Sequence, residues 1–282
     1  MYNVVFENDN GSKYVFGVNG NTVFDMDLGD GVSVNIGTSQ GFSQIGETIQ
    51  SRTVSGRTIN VSGAVYGNVQ ERKKTMRRSV SPFSFGKLVF EGRYYIRVFV
   101  KSAPTFSSVK NDGRFTMQFY APYPFFKSVE EKNVDIGTIK SLFSFPVNYS
   151  MTHKFGEKET ERYKNVYNDS DVSVPFSLYL SCSGTSTNPV ISNLNTFQFL
   201  KINGTLNVGD YLKIYRNDDN VLMAELTSDG ETTDVISWID ESSDLFELVV
   251  GDNLISATDD EHGASLSVKI TYNPVAVAVY ES

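Results

Sequence analysis

The chain has 282 residues, of which 40% are hydrophobic and 13% aromatic, so its length and composition predict two folded domains and argue against disorder. The net charge of −8 argues against a surface built throughout for nucleic acid, because phosphate binding needs an excess of Lys and Arg. A single cysteine, Cys182, excludes an intrachain disulfide, and the first residues do not have the charged and apolar regions of a signal peptide.

Charge is unevenly distributed along the chain. Residues 1–140 contain 17 Lys and Arg against 12 Asp and Glu, a net charge of +5, whereas the remainder contains 8 against 21, a net charge of −13. This shift predicts a domain boundary near residue 140. No run of apolar residues reaches the length of about 18 that a membrane-spanning helix needs, so membrane insertion is not expected.

Alternating apolar and polar residues dominate the first half of the chain, which is the pattern of strands with one buried and one solvated face. Residues 32–36, 58–65 and 115–119 alternate in this way and are predicted as strands. Between the first two, residues 37–56 are polar and punctuated by glycine, which predicts a projecting hairpin arm or a mobile loop rather than a packed helix. Residues 86–100 predict two further strands about a Glu-Gly turn.

One segment, residues 68–80, predicts the single helix of the chain. It is rich in helix formers, and Val69, Met76 and Val80 are spaced to share one helix face. Asn68 is a candidate N-cap with Glu71 three residues later, as in a capping box, and a proline two residues beyond the segment cannot continue the helix.

Five basic residues lie on this predicted helix: Arg72, Lys73, Lys74, Arg77 and Arg78. Such a cluster can neutralise phosphates, but a solvated helix face is the favoured interpretation in an acidic chain, so specific nucleic-acid binding is not expected. In a protein that assembles with itself, the same residues could pair with carboxylates on a neighbour. Arg72, Lys73, Arg77 and Arg78 are therefore the candidate subunit-interface residues.

Candidate catalytic and metal-binding residues are few. Four carboxylates near the only tryptophan invite a glycosidase interpretation, but they lie in a polar run that is typical of a solvated loop: Asp240, Glu241, Asp244 and Glu247. His153 and His262 are predicted on the surface, and two histidines with one cysteine cannot form a usual four-ligand zinc site. An acidic stretch at residues 25–31 does not fit a calcium-binding loop, since Gly29 occupies its third ligand position. No enzyme activity, cofactor or metal is expected.

Trp238 is the first candidate platform for a sugar, because sugars stack on exposed aromatic rings. It lies between Ile236 and Ile239, as core tryptophans often do, so packing in a core is favoured. A carbohydrate-binding module or adhesin that acts in attachment to a cell wall is therefore kept as an alternative function.

A series of short motifs then carries a family resemblance. In the first half of the chain these motifs are the basic helix closed by Ser81-Pro82 and residues 6–8, 10–11, 86–88, 93–96, 104–106 and 121–125. In the second half they are residues 143–146, 166–171, 188–193, 206–210 and 251–253, with Pro175, Leu248 and Ile255. Each is weak alone, since many are common turn dipeptides, but together in this order they resemble the siphophage distal tail proteins.

This resemblance implies an all-β, mainly antiparallel chain with one short helix. Residues 1–140 would form an N-terminal belt domain and residues 146–282 a C-terminal galectin-like β-sandwich. It further implies a non-catalytic virion protein, made in the host cytoplasm and located at the tail tip, that forms a homohexameric ring. The implied partners are the tail tube protein, the tape measure protein and a tail-associated lysin or fibre-bearing hub protein, with a host surface glycan as the partner in the alternative.

Overall fold

The structure, a computed structural model, describes residues 3–17, 19, 21–28, 32–109, 111–137, 139–141, 156–158, 163–217, 220–260 and 265–279. The chain divides into two compact units. The first unit contains residues 1–130 and the returning segment 275–282, and the second unit contains residues 131–274. The sequence motif at residues 143–146 and both histidines, His153 and His262, lie outside the described residues.

Short strands form most of both units, because β-branched and aromatic residues alternate with polar ones. The elements up to residue 130 are β1 (Val4–Asn8), β2 (Lys13–Phe16), β3 (Thr22–Asp27), β4 (Val34–Ser39), β5 (Thr48–Val54), β6 (Arg57–Val65), α1 (Val69–Ser79), β7 (Phe85–Phe90), β8 (Tyr94–Phe106), β9 (Arg114–Ala121) and β10 (Phe126–Ser128). Those beyond it are β11 (Lys132–Ile136), β12 (Ile139–Ser141), β13 (Gly156–Lys158), β14 (Tyr163–Asn168), β15 (Ser177–Cys182), β16 (Ser186–Thr187), β17 (Val190–Asn193), β18 (Gln198–Lys201), β19 (Thr205–Leu206), β20 (Tyr211–Arg216), β21 (Leu222–Ser228), β22 (Glu231–Asp234), a 3₁₀ helix (Ile236–Trp238), β23 (Gly251–Thr258), β24 (Leu266–Tyr272) and β25 (Val275–Ala276).

The first unit is built on one antiparallel sheet with the strand order β2-β1-β7-β8-β9-β6-β3. Strand β10 pairs with β8, and β25 pairs with β10, so the end of the described chain completes this sheet. The inner face follows the period of two, since Phe6, Leu88, Ile96 and Phe119 from four adjacent strands are all buried. This face forms the apolar core of the first unit.

Helix α1 covers part of that core. Met76 and Val80 are fully buried and Val69 packs against the same core, as their spacing predicted. Burying one such side chain contributes about 1.5–3 kcal/mol. Asn68 is the N-cap residue, but its amide donates to the Glu71 carboxylate at 2.9 Å and makes no hydrogen bond to the helix backbone. The helix is therefore confirmed, and the predicted capping box is wrong.

The second unit contains two antiparallel sheets with the orders β11-β24-β15-β20-β21-β22 and β14-β23-β17-β18. Leu178 and Ile214 of the first sheet and Leu200 of the second line one cavity of about 40 Å³, so the inner faces of the two sheets meet there. The buried Asn253 amide donates to the carbonyl oxygens of Val166 and Val249, because a buried amide needs hydrogen-bond partners.

The predicted fold class, mainly antiparallel β with one α-helix, is confirmed over the residues that the structure describes. The division into units differs from the sequence-based boundary in two short segments. Residues 131–136, predicted in the N-terminal domain, contain β11, which pairs with β24 of the second unit. Residues 275–276, predicted in the second domain, pair with β10 of the first unit. In both cases the pairing partner is distant in sequence, so local composition does not report it.

Candidate assembly surfaces

Strands β4 and β5 form a two-stranded hairpin, here called the arm, that is separate from the main sheet. Val34 pairs with Val54, and Ile36 lies two residues further along β4, so these three side chains share one face; Asn35 and Thr53 pair on the other. One face of the arm thus carries these three apolar side chains together with Arg52, the partner of Ile36, and the apolar side chains of the arm are all exposed. An isolated two-stranded hairpin is only marginally stable in water, so this arm needs a partner surface.

The tip of the arm is its most exposed apolar part. Phe42 and Ile45 are fully exposed, and Ile49 is more than half exposed. The hairpin arm predicted between residues 37 and 56 is therefore observed, and it carries apolar side chains that the subunit itself does not cover.

A second apolar surface, here called the aromatic patch, consists of Phe85, Phe99 and Tyr120 on the outer face of the first-unit sheet together with Phe83 in the turn before β7. The strand register places Phe85 opposite Phe99 and Phe99 opposite Tyr120. The rings of Phe85 and Phe99 are 5.1 Å apart between centroids, and those of Phe83 and Phe99 are 6.4 Å apart. Contiguous exposed aromatic surface of this kind is typical of a protein interface.

Phe83 adds backbone strain to this exposure. Its φ of +63° lies in the left-handed region, which costs a residue with a Cβ about 1–2 kcal/mol, while 84% of its surface remains exposed. The subunit therefore maintains an unfavourable conformation that presents a large apolar ring to solvent. Strain of this kind is concentrated at functional sites.

The candidate interface residues of α1 do not form one uniform charged face. Lys73 is buried, with its Nζ 5.4 Å from the centroid of the Phe106 ring, and the Arg77 guanidinium lies over the same ring at 5.0 Å. Arg72 contacts the side-chain amide of Asn21. Arg78 is exposed. Lys73 and Arg77 thus help to pack the helix through cation–π contacts.

Lys74 and Arg78 are exposed basic residues of α1. Arg77 is exposed as well, although its guanidinium lies over the Phe106 ring. The sequence identified the five basic residues of α1 but not which of them pack against an aromatic ring. Helical spacing alone does not reveal which long side chains lie along an aromatic neighbour.

Trp238 lies in the 3₁₀ helix and is half-buried rather than in a core. A Cβ at Gly204 would collide with the Trp238 ring, so the indole lies directly against the Gly204 backbone. One face of the ring is therefore covered by the chain, and the neighbouring Ile236 is exposed. The expectation that Trp238 packs in a core is therefore wrong, because the residue is only half-buried.

The carboxylates near Trp238 organise a turn. Asp240 accepts hydrogen bonds from the Ser242 hydroxyl at 2.5 Å and the Asn203 amide at 2.9 Å. These hydrogen bonds, that of Ser242 first, lower the pKa of Asp240 to about 2. The backbone N–H of Asp244 donates to the carbonyl oxygen of Phe199 at 2.7 Å. Asp240 is thus an ionised carboxylate that fixes loop geometry.

Three further findings concern possible sites. Cys182 is a buried free thiol in β15, as expected, and burial raises its pKa. Across the described ranges, no group of His, Cys, Asp and Glu side chains could hold a metal ion. None of the helices in the part of the chain that the structure describes has the length and apolarity of a membrane span.

The aromatic patch is the surface that sequence reasoning missed. Alternation of Phe83 and Phe85 with polar neighbours indicates one strand face, but the sequence does not reveal that Phe99 and Tyr120 lie beside them. Only the register of three strands brings these rings together.

Comparison with known proteins identifies related sequences and folds. Residues 169–275 match the family model of the siphovirus-type tail component, C-terminal domain. No curated protein matches the chain by sequence. The crystal structure of the phage SPP1 Dit protein (gp 19.1), presented as a paradigm of the hub adsorption apparatus in phages that infect Gram-positive bacteria, matches with a TM-score of 0.64 and 13% identity over 97% of this chain and 99% of that chain. A chain of the phage P2 baseplate, in its activated conformation with Ca, matches with a TM-score of 0.51 and 12% identity over 99% of both chains.

The resemblance drawn from the sequence motifs is therefore confirmed: residues 169–275 match the siphovirus-type tail component family, and nearly the whole chain has the fold of the SPP1 Dit protein.

Proposed function

We propose that this protein is the distal tail hub of a phage or phage-tail-like particle. Six copies close into a ring at the tail tip that joins the tail tube to the adsorption apparatus, and the protein catalyses no reaction. The first unit forms the belt of the ring, and the second unit is a galectin-like sandwich. The partners are the tail tube and tape measure proteins on one side and a tail-associated lysin or fibre-bearing hub protein on the other.

The exposed apolar side chains of the arm are the observation, apart from the fold itself, that best supports this proposal. A subunit that functioned alone would expose Phe42, Ile45 and Ile49 to water with no compensating contact. Burial of apolar area stabilises association by about 25 cal/mol per Å², so the arm favours assembly over the free subunit. A ring also requires two different complementary surfaces on every copy, and the arm and the aromatic patch are two such surfaces.

The oligomeric mass tests the ring. Native mass spectrometry over a concentration series is expected to give a species of six subunits at the highest concentrations, because weak rings dissociate on dilution by mass action. In the double variant Phe42→Ser and Ile45→Ser, this species is expected to disappear while the melting temperature of the subunit stays unchanged, since both side chains are fully exposed.

Val208→Ser is the matched control, because Val208 is an exposed apolar residue of the second unit. It is expected to leave the hexamer intact. Two results together overturn the proposal: the protein stays monomeric at every concentration, and electron micrographs of the native particle place it away from the tail tip.

Glycan binding is a second candidate function, supported by the outer face of the six-stranded sheet rather than by Trp238. Tyr179 and Tyr211 lie 5.7 Å apart between ring centroids on this face. Lys213 lies over the Tyr215 ring at 3.8 Å, and the Tyr215 hydroxyl donates to Glu225 at 2.9 Å. Partly exposed tyrosines flanked by charged groups suit the stacking and hydroxyl recognition of a sugar.

A pull-down of the whole protein on host cell-wall polysaccharide tests this candidate. Binding that is lost in Tyr211→Ala and kept in Trp238→Ala supports the tyrosine face. Glycan binding is contradicted if the native chain and both variants are retained equally on an unrelated polysaccharide, or if none of them is retained at all. Either outcome leaves the hub proposal unaffected.

A further inference from the structure

The aromatic patch and the arm are both incomplete in the free subunit. The patch presents four rings, one of them on a strained backbone. The arm presents three apolar side chains on one face, and an apolar tip, on a hairpin that has no core of its own. We propose that the aromatic patch of one copy is the docking surface for the arm of a second copy, an inference that rests on the proposed ring and names the contact that closes it.

Position in the fold supports this pairing. The arm leaves the sheet at Ser55 and Gly56, and the Gly56 backbone lies so close to the Tyr120 hydroxyl that a Cβ at this position would collide with it. The aromatic patch therefore begins where the arm of the same copy departs. A contact in which each copy extends its arm to the patch of the next repeats identically around a ring, because the giving and receiving surfaces are different and lie close to each other on every copy.

The arm does not cover the patch of its own copy. Phe42 and Ile45 are fully exposed, and the patch residues Phe83, Phe85 and Tyr120 are exposed as well. Only two residues, Ser55 and Gly56, separate β5 from β6, so a reversal of the arm onto its own sheet would have to occur within that short link. A second copy meets no such restriction.

Charge is compatible with this contact. The arm carries one acidic residue, Glu47, and one basic residue, Arg52, so it brings no net charge to the patch. Beside the patch, Arg97 makes two hydrogen bonds to the Asp9 carboxylate, at 2.7 and 2.6 Å. The Arg97 charge at the margin of the patch is thus already paired within the subunit, and the patch itself consists of aromatic rings, as in the centre of most stable interfaces.

Cross-linking tests the contact without removing an apolar side chain from it. Cys182, the single cysteine, is first replaced as Cys182→Ser, and Glu47→Cys in the arm and Lys101→Cys beside Phe99 are then combined in one chain. Both residues are exposed. A short bifunctional maleimide is expected to produce a ladder of covalent oligomers that ends at six. A mixture of two chains that each carry one of the cysteines is expected to stop at dimers.

A chain with Glu47→Cys and Val208→Cys is the matched control, because Val208 is exposed in the second unit; it is expected to give no ladder. In a separate measurement, Phe83→Ser is expected to raise the concentration at which the hexamer half-dissociates at least about tenfold, as truncation of a central aromatic anchor usually does.

The outcomes distinguish the two proposals. A hexamer by native mass that forms without the cross-link ladder overturns the docking surface and leaves the ring standing. A cross-link confined to single chains means that the arm lies on its own patch and also overturns the inference. Absence of any oligomer, by mass and by cross-linking, overturns both the ring and the docking surface.

Discussion

At the scale of single residues, Phe83 combines an unfavourable backbone conformation with an exposed aromatic ring. Its left-handed φ is unfavourable for any residue with a Cβ, although Asn adopts it more readily than most. Its ring contributes little buried area to the subunit, since 84% of its surface is exposed. The subunit would be more stable with a different residue at this position.

Phe83→Asn is therefore expected to raise the free energy of unfolding of the dilute subunit by about 1 kcal/mol and, at the same time, to weaken the hexamer. Urea unfolding and native mass measure the two effects. Phe85→Asn is the control, because its backbone is extended in β7: it should weaken assembly without stabilising the subunit. A lower unfolding free energy in Phe83→Asn contradicts the strain argument.

Asp240 gives the stability of the second unit a predictable pH dependence. Its pKa is lowered from 3.8 to about 2 in the folded chain by hydrogen bonds from Ser242 and Asn203. A carboxyl group with a lowered folded-state pKa stabilises the protein fully above its unfolded value, and this contribution is lost as the pH falls from about 4 to about 2. The direction follows because the unfolded chain binds the proton more tightly.

Asp240→Asn is accordingly expected to lower the melting temperature at pH 7 and to have a much smaller effect near pH 2, where about half of the native carboxyl groups are protonated. Thermal unfolding followed by circular dichroism at both pH values measures the difference. Glu241→Gln, at the neighbouring exposed position, serves as the comparison. An equal loss in Asp240→Asn at both pH values would falsify the role of the charge.

At the scale of elements, the sequence predicts what is local and misses what is not. Helix α1 was predictable because Met76 and Val80 repeat at helical spacing within one segment, and the arm because glycine and polar residues separate two alternating runs. Strands β11 and β25 were not predictable, since Lys132 pairs with Tyr272 and Phe126 with Ala276. A pairing across more than a hundred residues leaves no signal in composition or periodicity.

The same limit applies to the candidate surfaces. The basic residues of α1 were evident from charge alone, but burial of Lys73 against the Phe106 ring depends on where β8 ends. The aromatic patch needed the register of β7, β8 and β9. Sequence reasoning thus identifies residue types suited to an interface, and the fold decides which of them are available.

The charge of helix α1 is best tested at its exposed basic residues. Reversal of Arg72 or Arg77 would also disturb their contacts with Asn21 and Phe106. The double variant Lys74→Glu and Arg78→Glu alters only exposed charge and is expected to weaken hexamer formation at low salt if α1 faces carboxylates of a neighbour.

The effect should decrease as salt increases, because the screening length falls to about 10 Å at 0.1 M. Light scattering over a salt series measures it. Lys164→Glu with Lys269→Glu, the same charge change in the second unit, is the control. An unchanged hexamer in the α1 variant means that this helix face is solvated.

At the scale of the whole molecule, the chain leaves the first unit after residue 130 and returns to it at residue 275. The returning segment completes the sheet: β25 pairs with β10, Val275 is buried, and the Arg57 guanidinium donates to the carbonyl oxygen of Val277 at 2.9 Å. Val279 packs against the core of the same unit. The belt of the proposed ring therefore depends on residues at both ends of the described chain.

A chain that stops after Pro274 is expected to lose stability in the first unit alone. Loss of the buried Val275 side chain removes about 1.5–3 kcal/mol, and loss of the Val277 carbonyl removes a hydrogen bond from the buried Arg57. The strands β11–β24 all remain, so the second unit should unfold at its original temperature. Calorimetry resolves the two transitions. Val275→Ala, which keeps the backbone pairing, should cause a smaller shift of the first transition, and a truncated chain with both transitions unchanged would show that β25 contributes nothing to the sheet it joins.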